Sequence, residues 1–257
     1  KVARFQFLAR RREILDQPQA TLESYHDFVG DEAQHVEIQA AITEKFRNEK
    51  WHDRIFRLNV HLFEKLLGPD IDLELSPYLR IVRPNKPQDN IGYHRDTIYG
   101  TSPYELSVFI PFVNLGPAST LCVEPGSHQK AEKDIPFRRI ENPDPTITKG
   151  SVKHKLGFPY SPQVLNENYP LDNIMPVPVQ IGQVVAFSLS LLHGTLVNRS
   201  NMTRWTCDAR IRNAFADGEK MRAKRFVPLC RGPVSRAVEK YIQANKAAAQ
   251  AEPAAAL

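Results

Sequence analysis

The sequence predicts an α+β chain, with helices at both ends and a β-sandwich or barrel between them. Three observations carry this. Apolar residues recur at helical spacing in the first third, short β-forming segments separated by Pro and Gly turns fill the middle, and helical spacing returns at the end. With 257 residues, 42% of them hydrophobic and 25% charged, the chain can bury a substantial core. A single domain over 1–257 is expected: helical support over about 1–70, a β core over about 71–215 and a C-terminal helix over about 232–250.

Each element has a local reason. In "DEAQHVEIQAAITEKFRNEK" (Asp31 to Lys50), Val36, Ala40, Ile42 and Phe46 fall near one helical face. "WHDRIFRLNVHLFEKLLG" repeats the pattern through Ile55, Leu58, Leu62, Phe63, Leu66 and Leu67, and stops at Gly68-Pro69. "PYLRIVRP" alternates as a strand does. "ELSVFIPFVNL" reads as a strand whose proline places it at an edge or bulge. "STLCVEPGSH" runs from strand into a Pro-Gly turn, and "QIGQVVAFSLSLLHG" and "RWTCDARIRNAF" are further strands. Residues 129–179, rich in Pro and Asn, form an insertion expected to act as a lid. "PVSRAVEKYIQANKAAAQAEPAAAL" begins as an amphipathic helix and ends in a tail expected to fray.

Composition excludes several functions. The net charge of +5 is spread along the chain, and neither zinc-finger spacing nor an RNA-binding signature is present, so no nucleic-acid partner is expected. No apolar run has the length of a membrane span, and "KVARFQFLARRREILD" lacks the apolar region of a signal peptide. Three widely spaced cysteines argue against a disulfide framework and for a reducing, cytoplasmic setting.

The candidate chemistry lies in the histidines. Residues i and i+2 share a face in a strand but not in a helix. His35 and Glu37 sit in a predicted helix and are set aside as a chelate. His94 and Asp96 follow a strand and a loop and remain candidates. His193 ends an apolar strand. A turn at Val197 to Asn201 can bring Arg204 back beside it, and Thr195 shares the face of His193. Two histidines and a carboxylate suit a non-haem iron site with open positions. Arg204 with Thr195 suits a carboxylate, as the distal end of 2-oxoglutarate would present. Arg95 and Tyr93 should turn away from the metal, and Tyr99 should reach the pocket rim.

Five stretches in order, "HRD", "SVFIPFVNL", "VEPGSH", "IGQVVAFSLSLLHGT" and "NRSNMTRW", resemble the phytanoyl-CoA dioxygenase-like 2-oxoglutarate/Fe(II) oxygenases over roughly residues 78–212. The resemblance implies a double-stranded β-helix (jelly roll, cupin-like). It implies His94, Asp96 and His193 as iron(II) ligands, Arg204 on the distal carboxylate of 2-oxoglutarate, and Thr195 assisting. Members often carry Asn-Gly before the Pro-Gly-Ser-His element. Here "GPASTLCVEPGSH" puts Ser119 or Thr120 in that place. His128 is expected to order its turn rather than bind metal. The carboxylate at Asp96 points to hydroxylation rather than halogenation.

The expected reaction is oxidation of a small molecule, natural-product or carbohydrate-derived, by O2 with release of succinate and CO2. Arg80, Arg83, Arg95 and Lys153 to Lys155 are candidates to meet an anionic group on it. Two rival readings remain: a cupin-type metal enzyme that does not use 2-oxoglutarate, and a non-catalytic β-sandwich binding protein.

Overall fold

The computed structural model describes residues 20–216 and 226–251. The first part of the expected helical support and the end of the Ala-rich tail lie outside the described residues. Helix α1 (Glu32–Asn48) starts at Asp31, whose carboxylate accepts the Gln34 N–H. Its buried stripe is His35, Ile38, Gln39, Ile42, Thr43 and Phe46. Val36 and Ala40 sit only half-buried at the margin, while His35 and Gln39 turn inward to partners. The Gln39 amide donates to the Leu79 carbonyl, and the His35 ring meets the Tyr25 hydroxyl at 3.0 Å.

The long helix expected next is two, α2 (Trp51–Leu58) and α3 (Val60–Leu67), broken at Asn59. The break turns Phe56 and Phe63 inward, where their rings stack at 4.8 Å, and leaves Leu58, Leu62 and Leu66 exposed.

Strands follow as β1 (Ile71–Glu74), β2 (Tyr78–Val82), β3 (Glu105–Pro111), β4 (Leu121–Val123), β5 (Phe137–Arg139), β6 (Gln163–Leu165), β7 (Met175–Val177), β8 (Val185–Ser188), β9 (His193–Thr195), β10 (Arg204–Asn213) and β11 (Phe226–Cys230). Helix α4 (Val152–Lys155) lies between β5 and β6, and α5 (Pro233–Ala251) ends the described chain. The larger antiparallel sheet runs β11-β1-β10-β3-β8, with β2 also on β10; the smaller runs β7-β4-β9. The protein is an α+β jelly roll with helices on the outer face of the larger sheet.

Strand β10 shows how one sequence serves both core and site. Trp205, Cys207, Ala209 and Ile211 are fully buried in the cluster that includes the helices. Arg204, Thr206, Asp208 and Arg210 point the other way and line a cavity. The two-residue strand period makes this division. Neighbouring strands continue it in register: Cys207 lies between Leu79 and Ile110, and Asp208 between Tyr78 and Phe109.

Several expectations change. Strand β3 is interior, and its proline, Pro111, is its last residue, beyond the four positions that β8 pairs. The apolar run leading to His193 is not one strand. Strand β8 belongs to the larger sheet and β9 to the smaller, so the chain crosses between sheets at 189–192. The insertion predicted over 129–179 ends sooner, because β7 pairs with β4 and Val179 bridges Leu115. Helix α5 leaves Val234, Val238, Tyr241 and Ile242 exposed rather than packed. No described helix is long and apolar enough to cross a membrane. Cys122, Cys207 and Cys230 are free.

Two core histidines make folding sensitive to acid. Burial pushes the pKa of His35 down to about 4 against the partial opposition of Asp89, and burial does the same to His52. Both rings are folded in neutral, whereas the unfolded chain takes up protons below 6.5. Their contribution is therefore complete above pH 6.5 and is lost as pH falls towards 4. The urea midpoint should drop steadily across that window. A flat profile there would show that these rings protonate in the folded state.

Candidate active site

His94 and His193 come together through backbone pairing. The two residues form an isolated antiparallel bridge, with His94 N–H donating to His193 O at 2.8 Å and His193 N–H to His94 O at 3.0 Å. The ring centroids then lie 4.4 Å apart. Gly194 permits this approach. A Cβ there would stand 2.8 Å from the Tyr93 Cα and 2.9 Å from the Gly92 carbonyl, both backbone atoms that cannot swing aside. Gly194→Ala should lower stability by about 1–3 kcal/mol and weaken metal binding together. Thermal melting and Mn(II) titration would test this; an unchanged Mn(II) affinity would show that the bridge tolerates displacement.

Each ring is set as a lone-pair donor. His94 Nδ1 lies 2.8 Å from the Gly92 carbonyl, and His193 Nδ1 lies 2.9 Å from the Leu191 carbonyl. A carbonyl only accepts, so both Nδ1 atoms carry the proton and both Nε2 atoms are free to bind a metal. His94 keeps one side open to the cavity, yet close burial followed by repulsion from His193 pushes its pKa to about 4. Burial lowers that of His193 too. Neither ring needs to lose a proton before binding a cation at neutral pH.

Asp96 reaches the pair from the first residue of a 3₁₀ turn, Asp96–Tyr99, not along a strand. Its Oδ2 lies 3.9 Å from His193 Nε2, and its Oδ1 accepts from Arg210 Nη2 at 2.8 Å. Burial alone would raise this carboxyl, but Arg210 and the two histidines outweigh it and hold it at about 2. Among the described residues no group of three or more His, Cys, Asp or Glu side chains is placed to hold a metal ion as the side chains stand. The three expected ligands are adjacent, with one carboxylate oxygen engaged by Arg210. Arg95, between them, does turn away from the cavity. It is buried and donates to the carbonyls of Ser127 and Lys130.

Arg204 lies beside Thr195 although their strands belong to different sheets. Its Nη2 donates to the Thr195 hydroxyl at 3.2 Å, and that hydroxyl donates to Asn90 Oδ1 at 3.1 Å. Arg204 is 3% exposed, its Nε has no partner, and no carboxylate lies within ion-pair distance among the described residues. Burial, partly countered by Asp208, lowers its pKa to about 10. Thr206 was missed in the sequence. It stands two residues along β10 on the same face, with a buried hydroxyl that has no partner; strand period alone could have found it. Thr120 is not on the cavity wall, since its hydroxyl donates to the Val177 carbonyl at 2.5 Å. Ser119 contributes its carbonyl to Arg204 Nη1, at 3.4 Å.

The cavity, about 340 Å³, opens between the two sheets under the insertion, which supplies His154, Phe158 and Tyr160 to its wall. Tyr99 lines it and Tyr93 does not, both as expected. The arginines expected to meet an anion are already engaged. Arg80 donates to the carbonyls of Leu156 and Gly157 and faces Asp208 at 3.4 Å. Arg83 lies off the cavity, paired with Asp89 and Glu32. Lys153 pairs with Glu32 and Asp144. In the Pro-Gly-Ser-His turn, Ser127 does the ordering expected of His128. It is fully buried and its Oγ accepts the Leu192 N–H at 2.8 Å, while His128 is exposed.

Neutral imidazoles beside a carboxylate favour a divalent transition metal, and a jelly roll opening over them is of the non-haem oxygenase class. The chain belongs to the phytanoyl-CoA dioxygenase (PhyH) family, whose profile matches residues 2–206. The chemistry of that family rests on a metal, iron(II), and 2-oxoglutarate. In fold the chain is similar to the non-heme monooxygenase ThoJ in its apo form, at 17% identity and a TM-score of 0.51, over 89% of this chain and 72% of that one. The ThoJ–Ni complex matches at 16% identity and a TM-score of 0.50, over 91% and 78%. No curated protein is significantly similar in sequence. The residues present fit the family's cofactors on two counts: the Nε2 atoms of His94 and His193, left open by their Nδ1 bonds, and the buried guanidinium of Arg204, whose Nε has no hydrogen-bond partner.

Proposed function

We propose that this oxygenase is an iron(II)/2-oxoglutarate-dependent dioxygenase that hydroxylates a small molecule within one domain. His94, Asp96 and His193 would hold the iron, and Arg204 with Thr195 the distal carboxylate of 2-oxoglutarate. The observation that carries this is Arg204, a buried cation with no carboxylate within ion-pair distance among the described residues, whose burial the more distant Asp208 offsets only in part. Such a group is costly unless a ligand brings the missing carboxylate. Bound iron and 2-oxoglutarate supply the oxidising power from O2, with loss of succinate and CO2. The chain's own part is positional. The backbone carbonyls at Gly92 and Leu191 keep both imidazoles in one tautomer. Arg210 orients the carboxylate of Asp96. The insertion, as a lid, limits water at the cavity through Phe158 and Tyr160. The carboxylate of Asp96 supports hydroxylation over halogenation.

The substrate reading shifts with the cavity's charges. Arg80 and Arg210 both face carboxylates, and the insertion and sheets contribute aromatic rings. This supports an uncharged, polar natural-product or carbohydrate-derived substrate in place of an anionic one. A screen of such compounds, following succinate with iron(II), 2-oxoglutarate and O2, tests the function. Succinate formed in step with a hydroxylated product is expected. Failure of the wild-type chain to bind 2-oxoglutarate would favour a cupin-type enzyme of other chemistry.

A further inference from the structure

We infer that Arg210 and Glu74 together form a positioning device for Asp96, one that dedicates a single carboxylate oxygen to the metal. The inference rests on the proposed function, since it takes Asp96 as a ligand. Arg210 Nη2 donates to Asp96 Oδ1 at 2.8 Å, which leaves Oδ2 as the oxygen beside His193. Behind it, Arg210 Nη1 lies 3.8 Å from Glu74 Oε1. Glu74 is 1% exposed and stands at the end of β1, within the sheet.

The sheet explains why Glu74 stands there. On one side of β10, β1 pairs as far as Ile211 and β2 begins at Asp208. Among the described residues, the β10 backbone between those positions has no strand partner on that side. The Arg210 N–H donates instead to Glu74 Oε2, at 3.2 Å. One carboxylate thus closes a gap in the ladder and anchors the guanidinium that holds Asp96. Arg210 also lies over the Tyr78 ring, 6.0 Å from its centroid, which restricts the planar group further. A carboxylate held by one oxygen cannot turn both to the metal, so the positions needed by 2-oxoglutarate and O2 stay open.

A simpler role must be separated from this one, in which Arg210 only balances the buried charge of Glu74. The test is Mn(II) affinity of the full chain, by titration calorimetry, in Arg210→Met, Arg210→Lys and the double variant Arg210→Met/Glu74→Gln. The double variant removes one positive and one negative charge together, and the amide introduced by Glu74→Gln can still accept the backbone N–H of position 210. Positioning predicts a dissociation constant raised about 10–100-fold in Arg210→Met, as loss of such outer partners typically does, and still raised in the double variant. Arg210→Lys keeps the charge but not the fork, and should be intermediate. If the double variant recovers wild-type affinity, or if Arg210→Met binds normally, the positioning role is wrong. Thermal melting without metal identifies a variant that fails to fold, in which case Arg210→Lys decides the matter by the same comparison. A wild-type chain that does not bind Mn(II) overturns the metal site itself, and this inference with it.

Discussion

Asp96→Ala should abolish 2-oxoglutarate turnover and raise the dissociation constant for Mn(II) beyond the roughly 10–100-fold that outer partners cost. Two effects add. The proposed site loses its one anionic ligand, leaving two neutral imidazoles that bring no charge to offset that of the ion. Arg210 also loses the carboxylate 2.8 Å away and is left with Glu74, at 3.8 Å, and the field of Glu105. A less compensated cation then faces the incoming metal. Breaking a buried pair from one side typically costs about 3–5 kcal/mol, so the variant should also melt earlier. Titration with Mn(II), melting without metal and succinate release measure the three consequences. Retained Mn(II) affinity would remove Asp96 from the ligand set.

Arg204→Met has the opposite sign for stability. In the ligand-free chain Arg204 is buried with no carboxylate within ion-pair distance among the described residues, and burial, only partly countered by Asp208, has already lowered its pKa to about 10. Replacing it by an apolar side chain of similar length removes that desolvation cost and loses only two long hydrogen bonds, of 3.2 and 3.4 Å. The ligand-free variant should therefore melt at the same temperature or higher. Its 2-oxoglutarate affinity should fall about 10–100-fold, which corresponds to about 1.5–3 kcal/mol for hydrogen bonds to a charged group. Metal binding should be spared. Calorimetric titration with 2-oxoglutarate and with Mn(II) separates the two. Equal loss of both would mean that Arg204 supports the metal ligands rather than the co-substrate.

The contrast between these variants shows which parts of the site could be read in advance. His94, Asp96, His193, Arg204 and Thr195 are legible as candidates because their chemistry and short spacings are local. The route by which they meet is not. His94 and Asp96 converge through a bridge and a 3₁₀ turn rather than by strand period. Arg204 reaches Thr195 across two sheets rather than within a hairpin. Strands β1 and β11 and the β5–β6 hairpin were missed because each is short, and a run of three to five residues carries little periodic signal. Thr120 was placed near the co-substrate by its position before Pro-Gly-Ser-His. Its hydroxyl goes instead to a carbonyl of β7, a strand hidden inside the supposed insertion.

The sequence by itself determined the α+β class, the principal strands and the kinds of group available to bind a metal and a dicarboxylate. Helical and strand periods, and the donor chemistry of His, Asp and Arg, belong to single segments and survive without tertiary context. Only the tertiary structure decided which charges are free. Arg80, Arg83, Arg204 and Arg210 look alike in the sequence, yet three have a carboxylate at 3.4 Å or less, and among the described residues Arg204 has none within ion-pair distance. Arg210 and Asp96 stand 114 residues apart, and Arg80 and Asp208 stand 128 apart. Pairing at such separations is set by sheet register and burial, which no local pattern encodes.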